Sequence, residues 1–234
     1  MSESRSVVVT GGNRGIGAAV VERFLAGGHK VAALSRGGTA PDGALGIACD
    51  VSDAAQVEAA FAAAEAAHGP VGILVANAGI TRDGLLLRMS EDAWRQVIDV
   101  NLTGSFLVAR RAVKSMLRAK WGRIVFTGSV VGLYGNAGQA NYTAAKAGLV
   151  GLARSLTREY GARGITANVV APGFITTDMT ADLPDDAVAK SLAAIPAGRF
   201  GDPAEVAAAV EFLTQAAYVS GAVLPVDGGM GMGH

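Results

Sequence analysis

The chain has 234 residues, half of them hydrophobic, with 20 basic and 20 acidic side chains that cancel. This length holds one large α/β domain or two small ones, with core enough to need neither metal nor disulfide. The balanced charge excludes a global field for nucleic acid or anionic membrane. No apolar run approaches the ~18 residues of a membrane helix, and the single cysteine rules out an internal disulfide.

Ser6–Thr10 reads as a buried strand, and Gly15–Ala26 as a helix with apolar Ile16, Val20, Val21 and Phe24 on one side. The first apolar run, Val7–Val9, leads straight into a glycine motif, so no signal peptide is expected. Lys30–Ser35 is a second strand. The link Gly37–Gly46 is about the shortest that can cross between parallel strands, and it is expected to lack a helix and leave that side open. A short third strand ends at Cys49, read as a small buried apolar residue of a cytosolic, reducing compartment. Ala54–Ala67 is an alanine-rich helix closed by Gly69-Pro70, and Val71–Asn77 is a fourth strand whose unbroken apolar run fits burial on both faces. A helical pattern over Glu91–Met116 follows, then a strand Arg123–Thr127, a helix Asn141–Tyr160 and a strand Ile165–Ala171. Two short helices near Asp185–Leu192 and Pro203–Thr214 precede a last strand, Ala222–Val226. No linker or repeat interrupts the alternation. Strands alternating with helices give right-handed parallel βαβ units, hence an α/β, Rossmann-type doubly wound parallel sheet with helices on both faces, in one domain over residues 1–234.

Four constellations carry chemistry. Thr10-Gly11-Gly12-Asn13-Arg14-Gly15-Ile16-Gly17 lies between the first strand and helix, where glycines let backbone approach a pyrophosphate and the helix N-terminus attracts it. A glycine loop alone marks a tight turn as readily, but the strand–turn–helix context favours a nucleotide site. Arg36 ends the second strand, where an acidic residue would bind ribose hydroxyls and an arginine instead matches a 2′-phosphate; Arg14 can reach the same phosphate. Tyr142 and Lys146 sit four apart on one helix face, a pairing expected by chance only about 0.1 times in a chain this poor in both residues. A nearby ammonium is expected to lower the tyrosine's pKa and fit it for general-acid work. Ser129 follows the fifth strand at its carboxyl end, where open α/β sheets place ligands, and its hydroxyl can bind a ketone oxygen as charge builds there. Asn101 is a poor helix former that invites a kink or a held water. Taken singly, Ser129 and Asn101 would each be structural more often than not. No metal site is expected, and the chain has no basic stripe or aromatic platform for nucleic acid.

Together these residues resemble the short-chain dehydrogenase/reductase family over essentially the whole chain. The matches are Thr10–Gly17, Asp50-Val51, Asn77-Ala78-Gly79, Asn101, Ser129, Tyr142/Lys146 and Pro172-Gly173, in family order. The resemblance implies a seven-stranded parallel sheet and a catalytic tetrad of Asn101, Ser129, Tyr142 and Lys146. It implies NADP(H) contacts by Gly11, Asn13, Arg14, Gly15, Ile16, Gly17, Arg36, Asp50, Val51, Asn77, Gly79, Tyr142, Lys146, Pro172, Gly173, Ile175 and Thr177. Substrate contacts are implied for Ser129, Gln139 and Tyr142. The stretches from Gly122 to Gly132, Gly138 to Tyr142, Gly164 to Ile175 and Val226 to Met232 look most like bacterial, in particular actinobacterial, 3-oxoacyl-[acyl-carrier-protein] reductases. That likeness implies a cytoplasmic homotetramer that reduces a 3-oxoacyl thioester on acyl carrier protein in fatty-acid synthesis, with Lys120 and Arg163 as carrier contacts near the active-site entrance. An acetoacetyl-CoA reductase or another short-chain ketoreductase shares the same catalytic residues, and a non-enzymatic NADP-binding sensor would usually have lost one of them.

Overall fold

In a computed structural model, described over residues 4–177 and 185–232, a seven-stranded, all-parallel sheet runs through the chain. Its strands are β1 Ser6–Thr10, β2 Lys30–Ser35, β3 Leu45–Ala48, β4 Val71–Ala76, β5 Gly122–Thr127, β6 Ile165–Pro172 and β7 Val223–Val226, in the spatial order β3-β2-β1-β4-β5-β6-β7. The helices are α1 Gly15–Ala26, α2 Ala54–His68, α3 Glu91–Ile98, α4 Gly104–Ala119, α5 Val131–Tyr134, α6 Ala140–Tyr160, α7 Asp185–Ala193 and α8 Pro203–Gln215.

The two-residue period of the strands sorts their side chains into two cores. Val8, Leu34, Leu74, Ile124 and Phe126 point to one face, where Phe61 of α2, Met116 of α4 and Leu149 of α6 cover them. Val7, Val9, Ile73, Val75 and Val125 point to the other, against Val20 and Phe24 of α1 and Val206 and Val210 of α8. Strands buried on both faces therefore read as continuous apolar runs. The chain direction across the sheet reverses between β1 and β4, whose carboxyl ends are in register at Thr10 and Ala76. Doubly wound sheets bind ligands in the crevice at that switch point.

Three local features differ from a plain alternation. The link from β2 to β3 holds no helix among its residues, and β3 is an edge strand of four residues. Second, the pattern expected as one helix over Glu91–Met116 is two helices joined by a π-helical turn, Asp99–Thr103. Ser90 caps α3 by accepting from the Ala93 amide, and Gly104 lets α4 start against Val51, where a Cβ would lie 2.8 Å from Val51 Cγ2. Third, α4 ends on Lys120, a non-glycine residue in the left-handed region at φ 51°.

That last point bears on the expected carrier contacts. Lys120 precedes β5 and Arg163 precedes β6, so both lie at the amino ends of parallel strands, next to one another: Lys120 O is 2.5 Å from where a Cβ on Gly164 would lie. Ser129 lies past the other end of β5, roughly 20 Å away for six residues at ~3.3 Å each. Within one chain, Lys120 and Arg163 are not at the entrance of the Ser129 crevice.

Candidate active site

Thr10 Oγ1, at the end of β1, accepts from the amides of Asn77 (3.0 Å) and Ala78 (3.0 Å), which locks the end of β4 beside it. Asn77 Nδ2 donates to the carbonyls of Thr10 and Gly11, both at 3.2 Å. The glycine loop is thereby pinned flat against β4. A Cβ on Gly11 would stand 3.0 Å from Ala78 Cα, and one on Gly17 would stand 2.0 Å from Gly11 O, so no side chain fits at either position. Helix α1 starts at Gly15 behind an extended Arg14 with no side-chain cap, which leaves its first-turn amides available to an anion. Gly15 faces Thr177, with 3.4 Å between a notional Cβ and Thr177 Cγ2, so the β6 side closes over the loop. Exposed Asn13 and part-buried Ile16 belong to the same loop and helix start. This cradle fits the pyrophosphate of a dinucleotide.

The adjacent strands deliver the remaining cofactor candidates. The Gly11 amide donates to Leu34 O at 2.7 Å, so the exposed side chains of Arg14 and Arg36 emerge at neighbouring strand ends. Asp50 follows β3, its Oδ1 accepting from the Ser52 amide and hydroxyl, while Val51 is buried against Gly104. Gly173, after β6, stacks on Asp227, where a Cβ would be 2.8 Å from Asp227 Cβ, and donates its amide to Val226 O. Pro172 ends β6 and accepts from the Val130 amide; Ile175 is buried. Among the described residues no three His, Cys, Asp or Glu side chains gather to hold a metal ion.

Ser129, Tyr142, Lys146 and Asn101 converge at this crevice. The Ser129 hydroxyl accepts from the Val131 amide at 3.2 Å and is near enough to the Tyr142 phenol to favour its ionised form. Lys146, 4% exposed, donates from Nζ to Thr127 O at 2.7 Å and lies 5.5 Å from the Tyr142 ring centroid. Of an ammonium's three protons, that bond uses one, and Nζ is within 3.5 Å of a notional Cβ on Gly79. A buried cation with protons to spare in a crevice fits ribose hydroxyls. Burial pulls the Lys146 pKa down to about 8. Burial also pushes the Tyr142 phenol up to about 12, with Ser129 opposing it and the Asp83 carboxylate adding to it. The expected lowering of the tyrosine by Lys146 is not found: desolvation disfavours phenolate, which keeps the group a proton donor.

Asn101 is fully buried in the π turn, and its amide grips one residue in both directions. Oδ1 accepts from the Ile80 amide at 2.8 Å and Nδ2 donates to Ile80 O at 3.0 Å. The kink anticipated at Asn101 aims this side chain at the segment Gly79–Gly84. Gln139, expected to meet substrate, is at the site but has its amide engaged: Nε2 donates to Asp83 Oδ2 and Oε1 accepts from Asn136 Nδ2, each at 2.9 Å. Sequence reasoning missed Asp83 and gave Asn141 no role. Asn141 is fully buried, donates to Arg82 O at 2.9 Å and accepts from the Tyr142 amide. A polar residue next to the tyrosine at a helix start was the only available signal.

The description "short chain dehydrogenase" fits a family that matches residues 5–188. The chain is 56% identical to the 3-oxoacyl-[acyl-carrier-protein] reductase MabA of Mycobacterium bovis, over 99% of this chain and 94% of that protein. It is 47% identical to the 3-oxoacyl-[acyl-carrier-protein] reductase FabG of Salmonella typhimurium and 46% identical to FabG of Vibrio harveyi, in both cases over 98% of each chain.

Proposed function

The chain belongs to the short chain dehydrogenase family, and from that premise we propose that it is an NADPH-dependent reductase of 3-oxoacyl thioesters carried by acyl carrier protein, acting in fatty-acid synthesis. The observation that carries the reading is Tyr142 with the buried Lys146 5.5 Å from its ring, beside Ser129 at the carboxyl end of β5. When bound, the cofactor supplies hydride to the ketone carbon. Ser129 Oγ and Tyr142 Oη together bind the ketone oxygen, and Tyr142 gives up its proton there. Lys146 Nζ holds the ribose hydroxyls, and Asn101 keeps Ile80, and with it Gly79, in place. Gly11–Gly17 takes the pyrophosphate, Asp50 and Val51 flank the adenine, and Asn77, Pro172, Gly173, Ile175 and Thr177 line the nicotinamide side. Gln139 acts on substrate through its position rather than through a free amide.

Steady-state kinetics with NADPH and NADH against acetoacetyl thioesters of carrier protein and of coenzyme A test this reading. Preferred turnover of the carrier-bound substrate is expected; equal or better use of coenzyme A thioesters makes the enzyme an acetoacetyl-CoA reductase. No helix of the described residues is long and apolar enough to cross a membrane, and a cytoplasmic site of action goes with the proposed pathway.

Arg36 sets the cofactor choice in this reading. Arg36→Asp is expected to reverse the preference for NADPH, because a carboxylate repels a 2′-phosphate and accepts from ribose hydroxyls. A wild-type enzyme that uses NADH as well as NADPH removes Arg36 from that role.

Assembly is proposed to be a homotetramer with D2 symmetry. Strand β7 is an edge strand, and Phe212 and Tyr218 beside it are 52% and fully exposed; Trp94 and Phe106 are exposed on α3 and α4. Light scattering is expected to give four times the 23.6 kDa chain mass; a monomer at micromolar concentration overturns the assembly. Lys120 and Arg163 would serve a carrier protein only where a neighbouring subunit brings its own crevice to them.

A further inference from the structure

The segment Gly79–Gly84 leads out of β4 past Lys146 as a strap, and two fully buried asparagines hold its backbone. Asn101 grips Ile80 in both directions, and Asn141 grips Arg82, two residues on. The first belongs to the expected tetrad; the second stands next to Tyr142 and has no part in it. A buried side-chain amide must find partners for two N–H donors and a carbonyl oxygen, and Asn141 finds them on three different elements. Its Nδ2 donates to Arg82 O of the strap at 2.9 Å and to Ala93 O of α3 at 3.3 Å. Its Oδ1 accepts from the Tyr142 amide of α6 at 2.8 Å.

The bond to the Tyr142 amide acts as a helix cap. The first amides of an α-helix have no partner within it. At α6 the preceding residue, Gln139, gives no side-chain cap, because its amide is engaged with Asp83 and Asn136. Asn141 Oδ1 satisfies the amide of Tyr142 instead, so the helix start is fixed at the tyrosine and tied to the strap. Gly138 and Gln139 reach the strap too, through Gly84 and Asp83, but they lie before the helix. The other end of the strap is equally confined: Asn101 Oδ1 and Lys146 Nζ stand 3.3 and 3.5 Å from a notional Cβ on Gly79. Strap and helix therefore close a ring that runs through Gly79, Ile80, Arg82, Asn141, Tyr142 and, one helical turn later, Lys146.

We infer that Asn141 is a positioning residue for the reduction: bound to the strap, to α3 and to the Tyr142 amide, it sets where the phenol stands relative to Lys146 and Ser129. The inference rests on the proposed role of Tyr142 and deepens it. Asn168 supplies the comparison for a purely structural amide. It is also fully buried and also spends its amide on backbone, donating to Val219 O at 2.9 Å and accepting from the Ala222 amide at 3.1 Å. Those bonds tie β6 to the turn before β7 and touch neither strap nor α6.

The test is a double-mutant cycle over wild type, Asn141→Ala, Tyr142→Phe and the double variant. For each, kcat, KM, the NADPH dissociation constant and Tm are measured with NADPH and an acetoacetyl thioester. Asn141→Ser, which leaves a smaller cavity, replaces Asn141→Ala if the alanine variant does not fold. Asn141→Ala should lower kcat by about 10- to 100-fold, the cost of moving a reacting group by about 1 Å, with NADPH binding kept within about threefold. In the Tyr142→Phe background the same change should cost less than about threefold, because a positioning residue loses its effect once the group it positions is gone. Asn168→Ala should lower Tm by a comparable amount and keep kcat within about twofold of wild type. Equal loss of kcat with and without the Tyr142 hydroxyl overturns the inference. So does a loss in Asn141→Ala no larger than that in Asn168→Ala. A wild-type enzyme with no ketoreductase activity overturns the proposed function instead.

Discussion

Tyr142→Phe is expected to lower turnover by about 10²–10⁴-fold, the usual worth of a positioned acid, while leaving NADPH binding nearly intact. The ring remains and continues to pack beside Lys146, whose Nζ lies 5.5 Å from its centroid, so only the hydroxyl and its proton are lost. Single-turnover kinetics separate the two effects: the hydride step should slow, and the cofactor dissociation constant from fluorescence titration should not change. Near-normal turnover in this variant would remove Tyr142 from the mechanism. A loss confined to NADPH affinity would make it a binding residue only.

Gly17→Ala is expected to weaken NADPH binding by about 5- to 150-fold. An added Cβ would lie 2.0 Å from Gly11 O and 2.7 Å from Asn77 Nδ2, and the first of these is backbone. Neither neighbour can yield alone, because Asn77 Nδ2 itself donates to the Gly11 carbonyl. The loop must lift off β4, at an overpacking cost of about 1–3 kcal/mol, and the amides that would meet the pyrophosphate move with it. Isothermal titration checks the affinity, and a thermal melt checks that the chain still folds. Unchanged affinity in a folded variant would place the pyrophosphate elsewhere.

Much of the fold was legible because it is written locally. A strand such as Val7–Val9, buried on both faces, leaves an unbroken apolar run, and α1, α2 and α6 begin or end on residues that stop or cap helices. The glycine loop and the Tyr142/Lys146 spacing were legible for the same reason. What was not legible depends on partners distant in sequence. The π turn shows in the sequence only as Asn101, a residue that invites a kink; the partner it faces, Ile80, lies twenty-one residues upstream. The Asp83–Gln139 bond spans 56 residues and has no sequence signature. The high pKa of Tyr142 follows from burial, which spacing does not report. Lys120 caps the end of α4 and Arg163 ends a short 3-10 turn rather than lying in open loops, and the segment before a parallel strand opens on the side of the sheet opposite the one after it.

The π turn also makes the chain sensitive to length rather than to composition. An α-helix advances about 100° per residue, and a π turn amounts to one residue inserted into that sequence of rotations. Loss of a single codon between Asp99 and Thr103 would let α3 and α4 fuse into one regular helix. Asn101 or its replacement would then swing by a quarter turn or more from Ile80, or else α4 would lose its fit of Gly104 against Val51. Substitutions along this helix can be absorbed one side chain at a time, but a change of one in its residue count cannot.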